Sequence, residues 1–427
     1  MEFLPVAVMF GLFALGVPVA LAIAIAAFSF FIFAEGVPIE IFIQRLVSAT
    51  ESFPLLAVPF FIFAGTIMNY AGITRRLLNF ADALVGHMIG GLAQVNVLLA
   101  TLMGGLSASA NADAAMQSQM LGKEMVRRGY APGFAAAVTA CSSVITPIIP
   151  PGIGLIVYGF LADASVGRLF IGGIVPGVML CAGLMVSIYF VARRRGYMPM
   201  RDRMVSGRQL WTAFIEALGA LSIAAFILVG IRYGVFTPTE AGAMTVVYAS
   251  LVGFFVHREL KLAHFPGIIL ETVIATSAVM LIICAASAFG FYMTWERIPA
   301  RAAQFLIGLT DNPLLLLLLI NLLLIGVGML IEGTAALILL TPIFVPVIMK
   351  LGIDPIHFGL VLVVNLTIGG VTPPVGTLMF VSCSILRVSI QRFTMEALPL
   401  LASMFVVLGL ITCFPELVLW LPNRLMD

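Results

Sequence analysis

Apolar residues along this chain fall into long runs that polar positions interrupt at only a few places. A bilayer core of about 30 Å takes about 20 apolar residues per helix. Runs of adequate length occur near 53–71, 133–163, 169–192, 211–232, 237–256, 266–292, 355–386 and 397–420. The opening run, Phe3 to Ala34, predicts two helices turning at Gly16-Val17-Pro18, and Phe236-Thr237-Pro238 is the matching turn in the second half. Two further segments are interrupted inside. In 88–123 the second limb carries Asp113, Gln117, Gln119 and Lys123, groups that are expensive to face toward lipid. Segment 313–350 is broken between Gly328 and Gly333 and carries Pro342 and Pro346 on its return limb. Each predicts a re-entrant helical hairpin buried in protein, where irregular backbone is tolerated.

The pattern also repeats. An offset of 223 maps Gly129, Pro132, Val138, Ile145, Pro150, Pro151 and Leu155 onto Gly352, Pro355, Val361, Ile368, Pro373, Pro374 and Leu378. Polar, proline-broken segments in corresponding positions of two halves point to a secondary transporter and its midplane site. Basic residues give the repeat a direction. With the 193–208 loop in the cytoplasm, Arg75, Arg76, Lys123, Arg127, Arg128, Arg258, Lys261, Arg387 and Arg392 fall on the same side, so fifteen of the 22 lysines and arginines are cytoplasmic. Each half then has about five spanning helices plus a hairpin. An odd number of spans requires the halves to be inverted. Segments 73–87 and 295–311, with Arg75, Arg76, Asp82, Glu296, Arg297, Arg301 and Asp311, read as interfacial helices.

Composition supports this class. The chain is 62% hydrophobic and 10% charged over 427 residues, against roughly 25% charged in soluble domains. The opening run is longer than a signal-peptide core and lacks a basic flank, so it reads as mature structure. A net charge of +2 without a basic, aromatic-interleaved patch leaves nucleic acid out. The five cysteines show no CxxC spacing and the four histidines no HExxH, so zinc chemistry has no support. No GxxxxGK[ST] motif points to direct ATP drive, and no nucleophile–base constellation points to an enzyme.

The chemistry concentrates at the breaks. Gly104 to Asn111 offers Ser107, Ser109 and Asn111 within one short turn. A hairpin tip there leaves orphan carbonyls beside orphan N–H groups. The oxygens suit a hard cation such as Na⁺, and the N–H groups suit a carboxylate. From Ser142 through Thr146 to Gly152, prolines 147, 150 and 151 prevent a continuous helix and free carbonyls inside a span. The second half rebuilds this with Glu332-Gly333-Thr334 at the hairpin tip and Asn365 to Pro374 as the broken helix, Asn365 standing opposite Ser142. Glu332 has four readings: cation ligand, proton carrier, partner to a substrate hydroxyl, or a carboxylate held by backbone N–H groups.

These motifs resemble a known family. Gly105-Leu-Ser-Ala-Ser-Ala-Asn-Ala-Asp, Arg128-Gly129-Tyr130, Ile149-Pro150-Pro151, Phe236-Thr-Pro-Thr-Glu-Ala-Gly-Ala, Glu332-Gly-Thr-Ala-Ala and Thr372-Pro-Pro-Val-Gly376 together resemble the large membrane subunit of tripartite ATP-independent periplasmic (TRAP) transporters. Gly152 stands where that family often has Ser, which puts a hydroxyl ligand there in doubt. The resemblance implies an elevator-type importer of a small organic acid (a C4-dicarboxylate, sialic acid or another sugar acid) in the bacterial inner membrane. It implies two or more Na⁺ per cycle, phospholipid surroundings, a small four-helix membrane subunit and a soluble periplasmic binding protein. The small subunit is expected to be separate, because the chain begins close to its first span.

The combined expectation is an all-α polytopic membrane protein of two inverted repeats. Scaffold helices would occupy 1–72, an interfacial arm 73–87, and the first transport half 88–165 (hairpin 88–123, broken helix 133–163). Scaffold helices would return over 166–294 and a second arm over 295–311. The second transport half would cover 312–390 (hairpin 313–350, broken helix 355–386), with a final scaffold helix over 391–427. One Na⁺ site would draw on Ser107, Ser109, Asn111, Ser142, Thr146, Ile149 and Pro150. The other would draw on Glu332, Gly333, Thr334, Asn365, Thr367, Gly370, Thr372 and Pro373. Substrate would lie between the tips, near Ser107, Ala108, Ser109, Asn111, Gly333, Thr334 and Thr372. The rivals are a stand-alone divalent-anion symporter or exchanger of related architecture, and a membrane enzyme using Asp113 or Glu332.

Overall fold

The computed structural model describes residues 3–34, 36–104, 109–310 and 312–426, with 303, 306, 307 and 309 as backbone only; every regular element among them is helical. The opening run is two short helices, α1 (Leu4–Ala14) and α2 (Val19–Phe33), turned by Gly16 at φ 77° and Pro18. A polar-faced helix, α3 (Glu40–Ser48), follows; the sequence reading contained no element there. Next come α4 (Ala57–Tyr70) and α5 (Ile73–Val85). In α5, Ile73, Leu77, Phe80 and Ala81 are buried while Arg75 and Asn79 are exposed, as helical periodicity requires.

The first interrupted segment is a helix, a break and a short return: α6 (Gly91–Met103), α7 (Ala110–Gln117), a π-helical turn Ser118–Gly122 and α8 (Lys123–Arg127). The first proline-broken span is α9 (Pro132–Ser143) and α10 (Ile153–Leu161), with no helix across Pro147, Pro150 and Pro151. Three long helices follow: α11 (Val166–Arg195), α12 (Gly207–Arg232) and, after α13 (Pro238–Leu251) with its π-turn to Val256, α14 (Phe265–Trp295). Then come α15 (Ile298–Leu309), α16 (Pro313–Leu330), α17 (Gly333–Lys350), α18 (Pro355–Gly369), α19 (Thr377–Leu386), α20 (Ile390–Cys413) and α21 (Glu416–Met426). Both twin-proline bonds, Pro150–Pro151 and Pro373–Pro374, are cis.

Eight helices among the described residues are long and apolar enough to cross a bilayer. They include both α16 and α17, so by length alone each limb of the second hairpin qualifies as a span. The expected single helix over 391–427 is instead two, because the chain turns at Phe414-Pro415 and Pro cannot extend the preceding helix.

Packing separates two groups. In one, α2 lies along α14 and α4 along α13, with α12 against α5. In the other, the hairpins and broken helices gather with α11, α20 and α21. The expected scaffold assignment of 166–294 and 391–427 does not follow this packing for α11, α20 and α21. Close approach through small residues holds α11 in place, the usual device where lipid removes the hydrophobic drive between helices. A Cβ on Gly173 would lie 2.3 Å from the Ile148 carbonyl oxygen, and one on Gly177 2.5 Å from Ile149 Cγ1. Polar bonds knit the same group across both halves. Tyr158 donates to Pro355 O at 2.7 Å and Ser118 Oγ lies 3.1 Å from Ser382 Oγ; within the second half, His357 Nε2 lies 2.8 Å from Ile411 O.

Candidate functional site

Four half-helices begin at one cavity. Ser109 to Asn111 open α7, Gly154 lies in the first turn of α10, Glu332 to Thr334 open α17, and Thr377 and Leu378 open α19; all line it. Thr367 and Gly370, at the end of α18, line it too, and Pro147, Leu337, Val363 and Leu366 supply its apolar side. The cavity measures about 50 Å³, room for roughly four waters at 10–15 Å³ each. Each helix start turns unsatisfied N–H groups and the positive end of its dipole inward. Two of the four are already capped. Ser109 Oγ accepts from Ala112 N, and Glu332 accepts from Ala335 N and Thr334 Oγ1, both at 3.0 Å. The residues before α10 and α19 are Gly152 and Gly376, which have no side chain to cap with. At α19 the chain itself fills that place, Leu378 N and Met379 N donating to Gly370 O at 2.9 and 3.4 Å, so α10 is the start left without either a side-chain cap or such a carbonyl.

Behind the cavity lie two buried polar clusters, one in each half. In the first, Thr146 Oγ1 and Gln117 Nε2 donate to Asp113 Oδ2 at 2.7 and 2.6 Å. Ser142 Oγ lies 3.1 Å from Gln117 Oε1 and 2.6 Å from Asn96 Oδ1. Asp113 is 1% exposed, and its other oxygen, Oδ1, has no partner. In the second, Asn365 Nδ2 donates to Asn321 O and Oδ1 at 3.0 and 2.9 Å, and Asn321 Nδ2 donates to Thr412 Oγ1 at 2.8 Å. Asn365 Oδ1 is unpartnered, as is Asn111 Oδ1. Burying an acceptor without a partner is costly, so three orphaned oxygens around the breaks suit a bound cation.

Of the sequence-derived residues, the structure brings Ser109, Asn111, Glu332, Gly333, Thr334, Thr367 and Gly370 to one cavity. Ser142, Thr146 and Asn365 lie behind it, fully buried. Thr372 does not line the cavity: its hydroxyl donates to Ile368 O at 2.8 Å within the unwound turn. Thr367 donates back to Val363 O or Val364 O, both at 2.9 Å. Ile149 is used in packing, against Gly104 and Gly177, and Pro150 is buried; neither they nor Pro373 reach the cavity wall. Gly105, Ser107 and Ala108 at the first tip, and Asp311 before the second hairpin, lie outside the described residues. Sequence reasoning left Asn96 and Asn321 out, used Gln117 only as a mark of the hairpin, and used Asp113 as such a mark and in the rival enzyme reading.

Comparison with known proteins follows the whole chain. Residues 6–417 match the family described as "Tripartite ATP-independent periplasmic transporter, DctM component". The chain is 40% identical, over 97% of its length and 96% of the relative's, to the sialic acid TRAP transporter large permease protein SiaM of Vibrio cholerae. It is 40% identical, over 89% of both chains, to the C4-dicarboxylate TRAP transporter large permease protein DctM of Pseudomonas aeruginosa. It is also 39% identical, over 97% of its length, to an isethionate TRAP transporter permease protein DctMQ of Oleidesulfovibrio alaskensis, a longer protein of which it spans 66%. Among solved structures, the Alcanivorax borkumensis YdaH transporter shares the fold with a TM-score of 0.67 at 14% identity, covering 99% of each chain.

Proposed function

The chain belongs to the DctM-component family of TRAP transporters, and from that premise we propose that it is the large permease of a Na⁺-coupled importer of a small organic acid. It is a multi-pass inner-membrane transport protein, not an enzyme. The convergence of four half-helix starts on one cavity, with α10 left uncapped, supports an acid as the cargo. Relatives named for sialic acid, C4-dicarboxylates and 2,3-diketo-L-gulonate carry carboxylates that such a cradle would hold.

Sodium would sit where the orphaned oxygens are. In the first half Asp113 Oδ1 and Asn111 Oδ1 supply a formal charge and a carbonyl dipole, with Ser109 and Thr146 near. In the second half Asn365 Oδ1 supplies the acceptor beside Thr367 and Gly370. These are hard oxygen donors, which suits Na⁺. Two Na⁺ entering with a monoanion carry one net charge, worth about 2.3 kcal/mol per 100 mV of membrane potential.

The packing supports an elevator in which the hairpins and broken helices move together with α11, α20 and α21. The frame would be α1–α4 and α12–α14, with α5 and α15 as the connecting arms. The two halves would be inverted repeats, a reading favoured by the exchanged pairs α2–α14 and α4–α13. Partners would be a small four-helix membrane subunit and a soluble periplasmic binding protein. Uptake into proteoliposomes carrying both membrane subunits tests the reading. Transport should need an inward Na⁺ gradient and loaded binding protein; equal uptake of free acid without that protein would favour the stand-alone symporter instead.

A further inference from the structure

A second polar cavity, about 520 Å³, lies at the junction of α5, α12 and the turn after α13. Its polar wall is Arg75, Arg76, Asn79, Glu216, His257 and Glu259. The π-turn Val252–Val256 ends α13 and swings His257 back to the α4–α5 corner, where Nδ1 lies 3.0 Å from Ala71 O. A carbonyl only accepts, so Nδ1 carries the hydrogen and Nε2 keeps a free lone pair. That nitrogen faces Gly219, where a Cβ would stand 3.4 Å away. Burial, reinforced by the charge of Arg76, holds this imidazole below its usual pKa and so favours the neutral, accepting form.

Arg76 is committed, at 2.8 Å from Glu259 Oε1 and 2.9 Å from Gly72 O. Arg75 and Glu216 are not: both are exposed, and neither makes an ion pair among the described residues. Glu216 stands in α12 between Ile215 and Leu218, and exposed Ile215 and Val256 form the apolar part of the cavity wall. A free anion would meet Glu216 and Glu259, and a free cation would meet Arg75 and Arg76. A dipolar group with an acyl tail satisfies both charges and the apolar wall at once. Among the described residues no Phe, Tyr or Trp lines the cavity to cage a trimethylammonium, whereas Glu216 and His257 Nε2 accept N–H bonds that a primary ammonium donates and a trimethylammonium does not.

We propose that this pocket binds one phosphatidylethanolamine, its phosphate on Arg75 and Asn79 and its ammonium on Glu216 and His257, tying α5 to α12 and α13. The lipid would brace the connecting arm at its root against the fixed frame.

Native mass spectrometry of the delipidated protein, titrated with ethanolamine, choline and glycerol lipids of identical acyl chains, tests it. One ethanolamine lipid should bind at least tenfold more tightly than either of the others. Glu216→Gln and Arg75→Gln should each lose that preference, and Glu216→Asp should keep most of it. Both positions are exposed, so melting of the variants in choline lipid should match the parent and exclude misfolding. Equal affinity for all three headgroups would mean an annular lipid shell only, and preference for the anionic glycerol lipid would mean a plain anion site. Either result, or undiminished selectivity in Glu216→Gln, overturns the proposal.

Discussion

Asp113 has the most exacting surroundings of any residue here. It is a carboxylate with one oxygen held by Thr146 and Gln117, the other facing no partner, and no ion pair among the described residues. Asp113→Asn keeps the shape and removes the charge. We expect the Na⁺ concentration for half-maximal uptake to rise about tenfold or more, equivalent to about 1.4 kcal/mol, with expression unchanged; an unaltered Na⁺ dependence would remove Asp113 from the cation site. Asn365→Ala acts differently, because it strips two hydrogen bonds from Asn321 and leaves buried acceptors unpaired. A loss of about 1–3 kcal/mol should lower the melting temperature as well as uptake, and a melt identical to the parent would show the cluster to be idle. The sequence made the tips and Asn365 legible because serine, asparagine and proline crowd together there. It hid Asn96, with only Gln94 as a polar neighbour of its size in the limb, and Asn321, alone in a leucine-rich limb, with partners 46 and 44 residues downstream. The available signal was the repeat itself, since both first limbs place one asparagine at nearly the same distance before the aligned Ser142 and Asn365.

Among the elements, breaks were easier to read than docking. Three prolines between Thr146 and Gly152 stop a helix by local sterics, and the observed gap between α9 and α10 lies there. Nothing local says which neighbour covers the gap. Gly172-Gly173 in α11 looks like any small pair in a membrane helix, yet Gly173 is what lets α11 approach the Ile148 carbonyl. Short α3 and α21 were missed for a related reason: α3 is polar on one face, and α21 follows a run that reads as one helix with α20. Gly173→Ala tests the wedge. The added methyl meets backbone, which cannot rotate away, so a cost of about 1–3 kcal/mol typical of overpacking is expected. Gly183→Ala on the same helix is the control, its Cβ falling at an ordinary 3.5 Å from Val407 Cγ2. Thermal unfolding in detergent should separate the two variants; matching curves would mean that α11 is not seated on the unwound stretch.

For the whole molecule, charge bias carried information that no single element holds, because it sums over loops far apart in the chain. It puts Met204, 52% exposed in the loop between α11 and α12, in the cytoplasm. Met204→Cys, with the five native cysteines removed, should react with impermeant maleimide only after the membrane is opened; labelling of intact spheroplasts would reverse the topology. Motion is the harder property, since one conformation does not reveal what slides. In the proposed elevator, the two packed groups would slide at the seam where Leu339 of α17 shares a buried cluster with Ala285, Ala288 and Phe289 of α14. That seam is apolar, built of Leu339, Ala285, Ala288 and Phe289, so it is where a frame and a carrier would part. Cysteines replacing Ala288 and Leu339 in the cysteine-free background should be bridged by Hg²⁺ in this conformation. Bridging should abolish uptake while leaving acid-dependent thermal stabilisation in place, and a thiol reductant should restore transport. Full uptake by quantitatively bridged protein would show that α14 and α17 travel together, and the moving body would have to be redrawn to include α14.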